Sequence, residues 1–77
     1  MNITIRLFGQ LTDITGADTL SLQGAVDTDA LVTILEKNYP ALVNSRYIIA
    51  VDKKVISANT PLTEHSTVAL LPPFSGG

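Results

Sequence analysis

At 77 residues the chain has room for one domain and one core, and without cysteine it can form no disulfide to stabilise that core. A domain of this size buries only about 60% of the surface its unfolded chain exposes, so it depends on apolar packing, which a 45% hydrophobic content supplies. A formal charge of −2 with five scattered basic residues offers no phosphate-binding stripe, and the lone His65 has no companion of its own type for a zinc site. Met1-Asn2-Ile3-Thr4-Ile5-Arg6 lacks the basic and apolar regions of a secretory signal, and no stretch approaches the ~20 apolar residues of a membrane span. The expectation is a soluble, cytoplasmic protein that binds neither nucleic acid, membrane nor metal.

Residues 2–8 read as a strand: Ile3, Ile5 and Leu7 share one face, while Asn2, Thr4 and Arg6 share the other. Gly9 to Gly16 interrupts this pattern and reads as a polar connection. A second alternation in Thr19-Leu20-Ser21-Leu22-Gln23, closed by Gly24, predicts an antiparallel hairpin with the first strand.

The period then changes. Leu31, Ile34 and Leu35 recur at helical spacing, with Asp29, Thr33, Glu36 and Lys37 on the far side. Asp27 or Thr28 can cap the helix start, and Asp29 and Lys37 complement its dipole. Pro40 disfavours helical geometry at Tyr39, so the helix is predicted to end near Asn38. Residues 39–46 read as a loop and 47–51 as a buried strand. Asp52-Lys53-Lys54 reads as a polar turn and Val55-Ile56 as a return strand. Asn59-Thr60-Pro61 breaks the pattern, Glu64-His65-Ser66 reads as an exposed turn, and residues 67–71 form a last strand before Pro72-Pro73. The class is α+β, a mixed sheet with one main helix packed across one face.

A conventional catalytic site is hard to assemble from these residues. A triad would rest on His65, which sits in a polar turn without an orienting constellation. Asp27 and Asp29 are explained by helix capping, and Lys53-Lys54 by a solvated turn. Gly9, Gly16 and Gly24 are too scattered for a phosphate-binding loop.

The end of the chain, Leu71-Pro72-Pro73-Phe74-Ser75-Gly76-Gly77, has a different character. Two prolines favour an extended exit from the sheet and lower the entropy lost on docking. Phe74 is a large ring with no core left to enter, suited to a partner's pocket. Gly76 and Gly77 lack Cβ atoms, so this backbone can enter a narrow channel, and Ser75 is assigned with Gly76 to that channel segment. The α-carboxylate of Gly77 is the expected reactive group. A frayed tail is the alternative explanation for Gly-Gly alone, but not for Pro-Pro-Phe-Ser-Gly-Gly.

This ending resembles that of the small, sulfur-carrying subunits of molybdopterin synthase, a strand followed by Pro-Pro-x-Ser/Thr-Gly-Gly. Leu7-Phe8-Gly9 is similar to the family's end of strand one, Ile49-Ala50-Val51-Asp52 to its Ala-Val-Asn turn entry, and Pro61-Leu62-Thr63 with Val68-Ala69 to its Pro-Leu…Val-Ala stretch. Asp13, Asp52-Lys53 and Glu64-His65-Ser66 depart from the family pattern, the second pair replacing Asn-Gly and the last group Asp-Gly-Asp. The resemblance implies a ubiquitin-like β-grasp fold over residues 1–77, with the first and last strands parallel at the sheet centre and residues 72–77 as a functional tail.

It also implies a cycle. A ubiquitin-activating-like adenylyltransferase uses ATP to adenylate Gly77, a sulfur donor protein converts it to a thiocarboxylate, and the tail enters the synthase large subunit. There it gives sulfur to a pterin precursor. The chain itself would bind no cofactor and would not be an enzyme alone. Three other readings stand beside this one: a sulfur carrier for thiamine thiazole synthesis, a ubiquitin-like modifier joined to lysine, and an adaptor with an idle tail.

Partner contacts are expected from Phe74, Pro73, Pro72, Leu71 and Phe8. Phe8 falls on the opposite parity from Ile3, Ile5 and Leu7, on the sheet face away from the helix. Parity leaves open whether Val68 and Leu70, or Ala69 and Leu71, face the helix. The alternative to a partner surface is that a long loop, such as residues 39–46, folds over this face.

Overall fold

The computed structural model describes residues 2–73. Alternation builds the first strand: in β1 (Asn2–Leu7), Ile3, Ile5 and Leu7 are buried and the intervening residues exposed. It pairs antiparallel with β2 (Thr19–Gln23), placing Ile3 opposite Leu22 and Ile5 opposite Leu20. Residues 9–16 are more than the polar connection expected, because they hold a short helix, α1 (Leu11–Thr15), pinned by the fully buried Leu11. At five residues, it depends on that tertiary contact, since an isolated helix of this length does not form.

The main helix, α2 (Thr28–Asn38), has the predicted bounds. Asp27 is the cap: its Oδ1 accepts from the Ala30 N–H at 2.9 Å. Thr28 is instead the first helical residue and is buried. Its hydroxyl donates to Asn59 Oδ1 and accepts from the Thr60 N–H. Leu31 and Leu35 enter the core, and the chain leaves helical geometry at Tyr39.

The expected loop over 39–46 contains a 3-10 helix (Pro40–Asn44), whose Leu42 is fully buried. This segment packs against α1 and α2, so it does not cover the other face of the sheet.

β3 (Ile48–Val51) and β4 (Lys54–Val55) form a tight hairpin, with Lys54 in the return strand rather than the turn. Its two loop residues, Asp52 and Lys53, both have positive φ, 51° and 70°. This is the backbone requirement for which Asn-Gly is favoured in two-residue hairpins. Asp52 Oδ1 compensates by accepting from both the N–H and the hydroxyl of Thr67. Glu64 and His65 are exposed as expected. Ser66 is buried because its hydroxyl accepts from the Thr63 N–H and closes the turn.

β5 (Thr67–Leu71) completes a five-stranded sheet of order β2-β1-β5-β3-β4. It runs parallel to β1 and antiparallel to β3. The result is the mixed sheet and single main helix of the expected β-grasp. Val68 and Leu70 are the buried set in β5, joining Ile3, Ile5, Leu31 and Leu35 in one core, while Ala69 and Leu71 lie on the other face.

Candidate functional site: the exit of the central strand and the open sheet face

The four residues given carrier and anchor roles, Phe74, Ser75, Gly76 and Gly77, lie outside the described residues. The structure does place the base from which they extend. Leu71 is half-buried opposite Ile48, at the last position of the middle strand. The Phe8 N–H donates to Leu70 O at 3.1 Å, holding this end of β5 against β1. Pro72 then packs over Gly9. A Cβ at position 9 would lie 2.8 Å from Pro72 Cγ, and Gly9 has φ +60°. Only glycine meets both conditions without strain. Gly9 therefore shapes the exit path, a role that isolated glycine spacing in the sequence did not signal.

Beside this exit lies the face that α2 leaves open. Register places Arg6, Ala69 and Ala50 side by side across β1, β5 and β3. With Phe8, Lys53 and Thr67 they line a shallow depression. Phe8 is 40% exposed, and the Arg6 guanidinium lies 5.8 Å from its ring centroid, within cation–π range. The floor is apolar and two cations stand on its rim. Phe8 and Leu71 thus share this face, and Pro72 and Pro73 follow directly from it. Arg6 and Ala50 were missed because each looks ordinary in sequence, and Ala69 stood only as one of two alternatives; strand register brings the three together.

Titratable groups elsewhere serve the fold. The Ala30 N–H and then the Asn59 amide hold the Asp27 carboxyl below its usual range. Burial, reinforced by the Glu36 carboxylate, pushes the Tyr47 phenol up to about 12; its hydroxyl donates to Glu36 Oε2 at 3.1 Å. Among the described residues, the His65 side chain pairs with exposed Glu64, at 3.6 Å. None of the described residues that line the depression carries a carboxylate, imidazole or thiol. Its groups can bind and orient a protein surface, but they offer no acid–base pair for chemistry of their own.

The ThiS family model matches residues 5–77. Among solved structures, the crystal structure of small archaeal modifier protein 1 from Haloferax volcanii superposes with a TM-score of 0.81 at 19% identity, covering 100% of both chains. The solution structure of small archaeal modifier protein 1 from Methanosarcina acetivorans gives 0.82 at 24% identity, covering 99% of this chain and 96% of that one. At these identities the two likenesses establish the fold. A chain in the complex of subunits 1 and 2 of molybdopterin-converting factor from Helicobacter pylori matches at 28% identity with a TM-score of 0.74, covering 100% of both chains. With the family match running from Ile5, in the middle of β1, through every later element to Gly77, the chain belongs to the ThiS family.

Proposed function

We propose that this chain is a sulfur carrier for molybdopterin synthesis, working in the cytoplasm through the α-carboxylate of Gly77. The observation that carries the reading is the placement of Pro72-Pro73-Phe74-Ser75-Gly76-Gly77 directly after the middle strand of a ThiS-family β-grasp. A carboxylate is a poor electrophile. A ubiquitin-activating-like enzyme would spend ATP to form the Gly77 acyl-adenylate with release of pyrophosphate. A sulfur donor then displaces AMP, leaving a thiocarboxylate. The tail carries that sulfur into the large subunit of molybdopterin synthase, whose residues supply the acid–base chemistry. The Helicobacter pylori likeness, a two-subunit complex, supports a large-subunit partner. The open face beside the tail supplies a surface for it.

A ubiquitin-like modifier is the second reading, favoured by the two archaeal modifier proteins among the structural neighbours. Both readings share adenylation of Gly77 and part at the next step. The full chain incubated with a matching activating enzyme, Mg-ATP and sulfide separates them by intact mass. A carrier gains the mass of one sulfur in place of one oxygen at Gly77. A modifier, given cell protein in place of sulfide, loses one water on forming an isopeptide bond to lysine. Neither product, with the adenylate formed, would overturn both.

A further inference from the structure

The sheet has two outer edges, and they are protected very differently. β4, at one edge, is two residues long and flanked by Lys53, with Lys54 within it. Short length and lysines are common devices that keep an edge from pairing with another chain. β2, at the other edge, has five residues in continuous register with β1, no proline and no charge from Thr19 to Val26.

The direction of its free backbone groups follows from one hydrogen bond. The Leu7 N–H donates to Asp18 O at 2.9 Å, and Arg6 sits opposite Thr19. Arg6–Thr19 is therefore a non-hydrogen-bonded pair, and antiparallel alternation turns the N–H and C=O of Leu20 and Leu22 inward to β1. Those of Thr19, Ser21 and Gln23 point outward. Among the described residues, no hydrogen bond uses these outward groups. On the helix side, Leu20 and Leu22 remain only half-buried, and Val26, three residues after the strand, is 64% exposed.

We infer that β2 pairs antiparallel with β2 of a second copy, about a two-fold axis through Ser21. The strand is self-complementary about that residue. Ser21 faces Ser21 of the other copy, and Thr19 faces Gln23, as hydrogen-bonded pairs that each exchange two backbone bonds. Leu20 then stands opposite Leu22 of the second copy, in the closer non-hydrogen-bonded spacing and on the helix side. Each pair covers apolar surface that α2 leaves exposed. Asp18 falls opposite Gly24, so no like charges meet. A C2 contact requires this kind of self-complementarity, which a heterologous peptide does not. The contact is small, so the dimer is weak and reversible. It lies at the far side of β1 from β5, away from the end of β5.

The test is sedimentation of the full chain over a concentration series reaching the millimolar range. The weight-average mass should rise from 8.2 kDa toward twice that value. Ser21→Lys sets two ammonium groups directly across the axis and should weaken association roughly tenfold or more, with thermal stability unchanged. In a second arm, Ser21→Cys should cross-link with diamide, since hydrogen-bonded antiparallel pairs hold Cα atoms about 5.5 Å apart, within disulfide range. Ser57→Cys, near the other edge, should not. A monomer at every concentration, association untouched by Ser21→Lys, or equal cross-linking from position 57 would each overturn the proposal. Loss of large-subunit binding by Ser21→Lys, without wild-type self-association, would assign the edge to that subunit and overturn it as well.

Discussion

Gly9 and Pro72 are fitted to one another: the glycine holds a left-handed φ of +60°, and the proline ring occupies the space its Cβ would need. The contact joins the end of β1 to the first residue after β5, so the two strand ends become one structural unit. Gly16 provides a natural control, because its φ is +76° but nothing lies within 4 Å of its ideal Cβ. Gly16→Ala should cost about 1 kcal/mol, the left-handed penalty alone. Gly9→Ala should cost roughly 2–4 kcal/mol, because overpacking against Pro72 adds to that penalty. Urea denaturation of both variants measures the difference. A double-mutant cycle with Pro72→Ala should show a coupling of at least about 0.5 kcal/mol. Equal costs at positions 9 and 16 would show that Pro72 moves aside freely.

The β3–β4 hairpin carries a second, separable strain. Lys53 at φ 70° sits where glycine is favoured, while Asp52 at φ 51° repays its own conformation through two hydrogen bonds from Thr67. Lys53→Gly should therefore stabilise the protein by about 1 kcal/mol, read from the urea midpoint. Asp52→Ala should destabilise by a similar amount or more, since the Thr67 groups lose their acceptor. Lys53 also stands on the rim of the open face, so Lys53→Gly separates stability from partner binding in one variant.

Most of the architecture was legible because it rests on period. The 2-residue alternation of Ile3, Ile5 and Leu7, the 3.6-residue recurrence of Leu31, Ile34 and Leu35, and the Pro40 stop located β1 and α2. Sequence allows either Asp27 or Thr28 as the cap, and the Ala30 N–H bond to Asp27 decides between them. What escaped was tertiary in origin. α1 and the 3-10 helix each hang on one buried leucine, Leu11 or Leu42, and one residue has no period. Ser66 looked like turn polarity until its bond to Thr63 closed that turn. The choice between Val68–Leu70 and Ala69–Leu71 could not be read from an all-apolar strand; it needed the helix in place. The open face itself is a product of register between strands distant in the chain, as where Arg6 meets Ala69.

Asn59 exemplifies the same long reach. Its Oδ1 accepts from the Thr28 hydroxyl and the Asp29 N–H, and its amide donates to Asp27 Oδ2. Asn59→Ala should cost about 1–2 kcal/mol, because the buried Thr28 hydroxyl loses its acceptor. The same network sets a pH dependence. Asp27 is held below its ordinary value in the fold, so the folded state binds its proton less readily than the unfolded state. Its contribution is present above the ordinary aspartate range and is lost as pH falls through that range and the lowered folded value. Urea midpoints measured from pH 7 to 3 should fall less steeply for Asp27→Asn than for wild type. An unchanged slope would mean that other carboxylates govern acid unfolding.

The open face and the tail lead to the last prediction, which rests on the proposed large-subunit partner. Phe8 shares the open face with Leu71, and is 40% exposed and capped by Arg6, so it is available to a partner without leaving the core short of contacts. Phe74 follows two prolines later in the chain. If both rings anchor the complex, each truncation to alanine should weaken large-subunit binding by roughly 2 kcal/mol, the loss expected of a buried aromatic hot spot. Phe8→Ala should cost less than about 1 kcal/mol of fold stability, given its exposure. Arg6→Ala should weaken binding by less than Phe8→Ala, because a rim cation mainly affects association rate and salt dependence. Calorimetric titration with the large subunit at two salt concentrations, alongside thermal unfolding, distinguishes these effects. Unchanged affinity for Phe8→Ala with a normal response to Phe74→Ala would confine recognition to the tail. Loss of both affinity and stability in Phe8→Ala would make that ring a structural residue, and would leave the open face without an anchor.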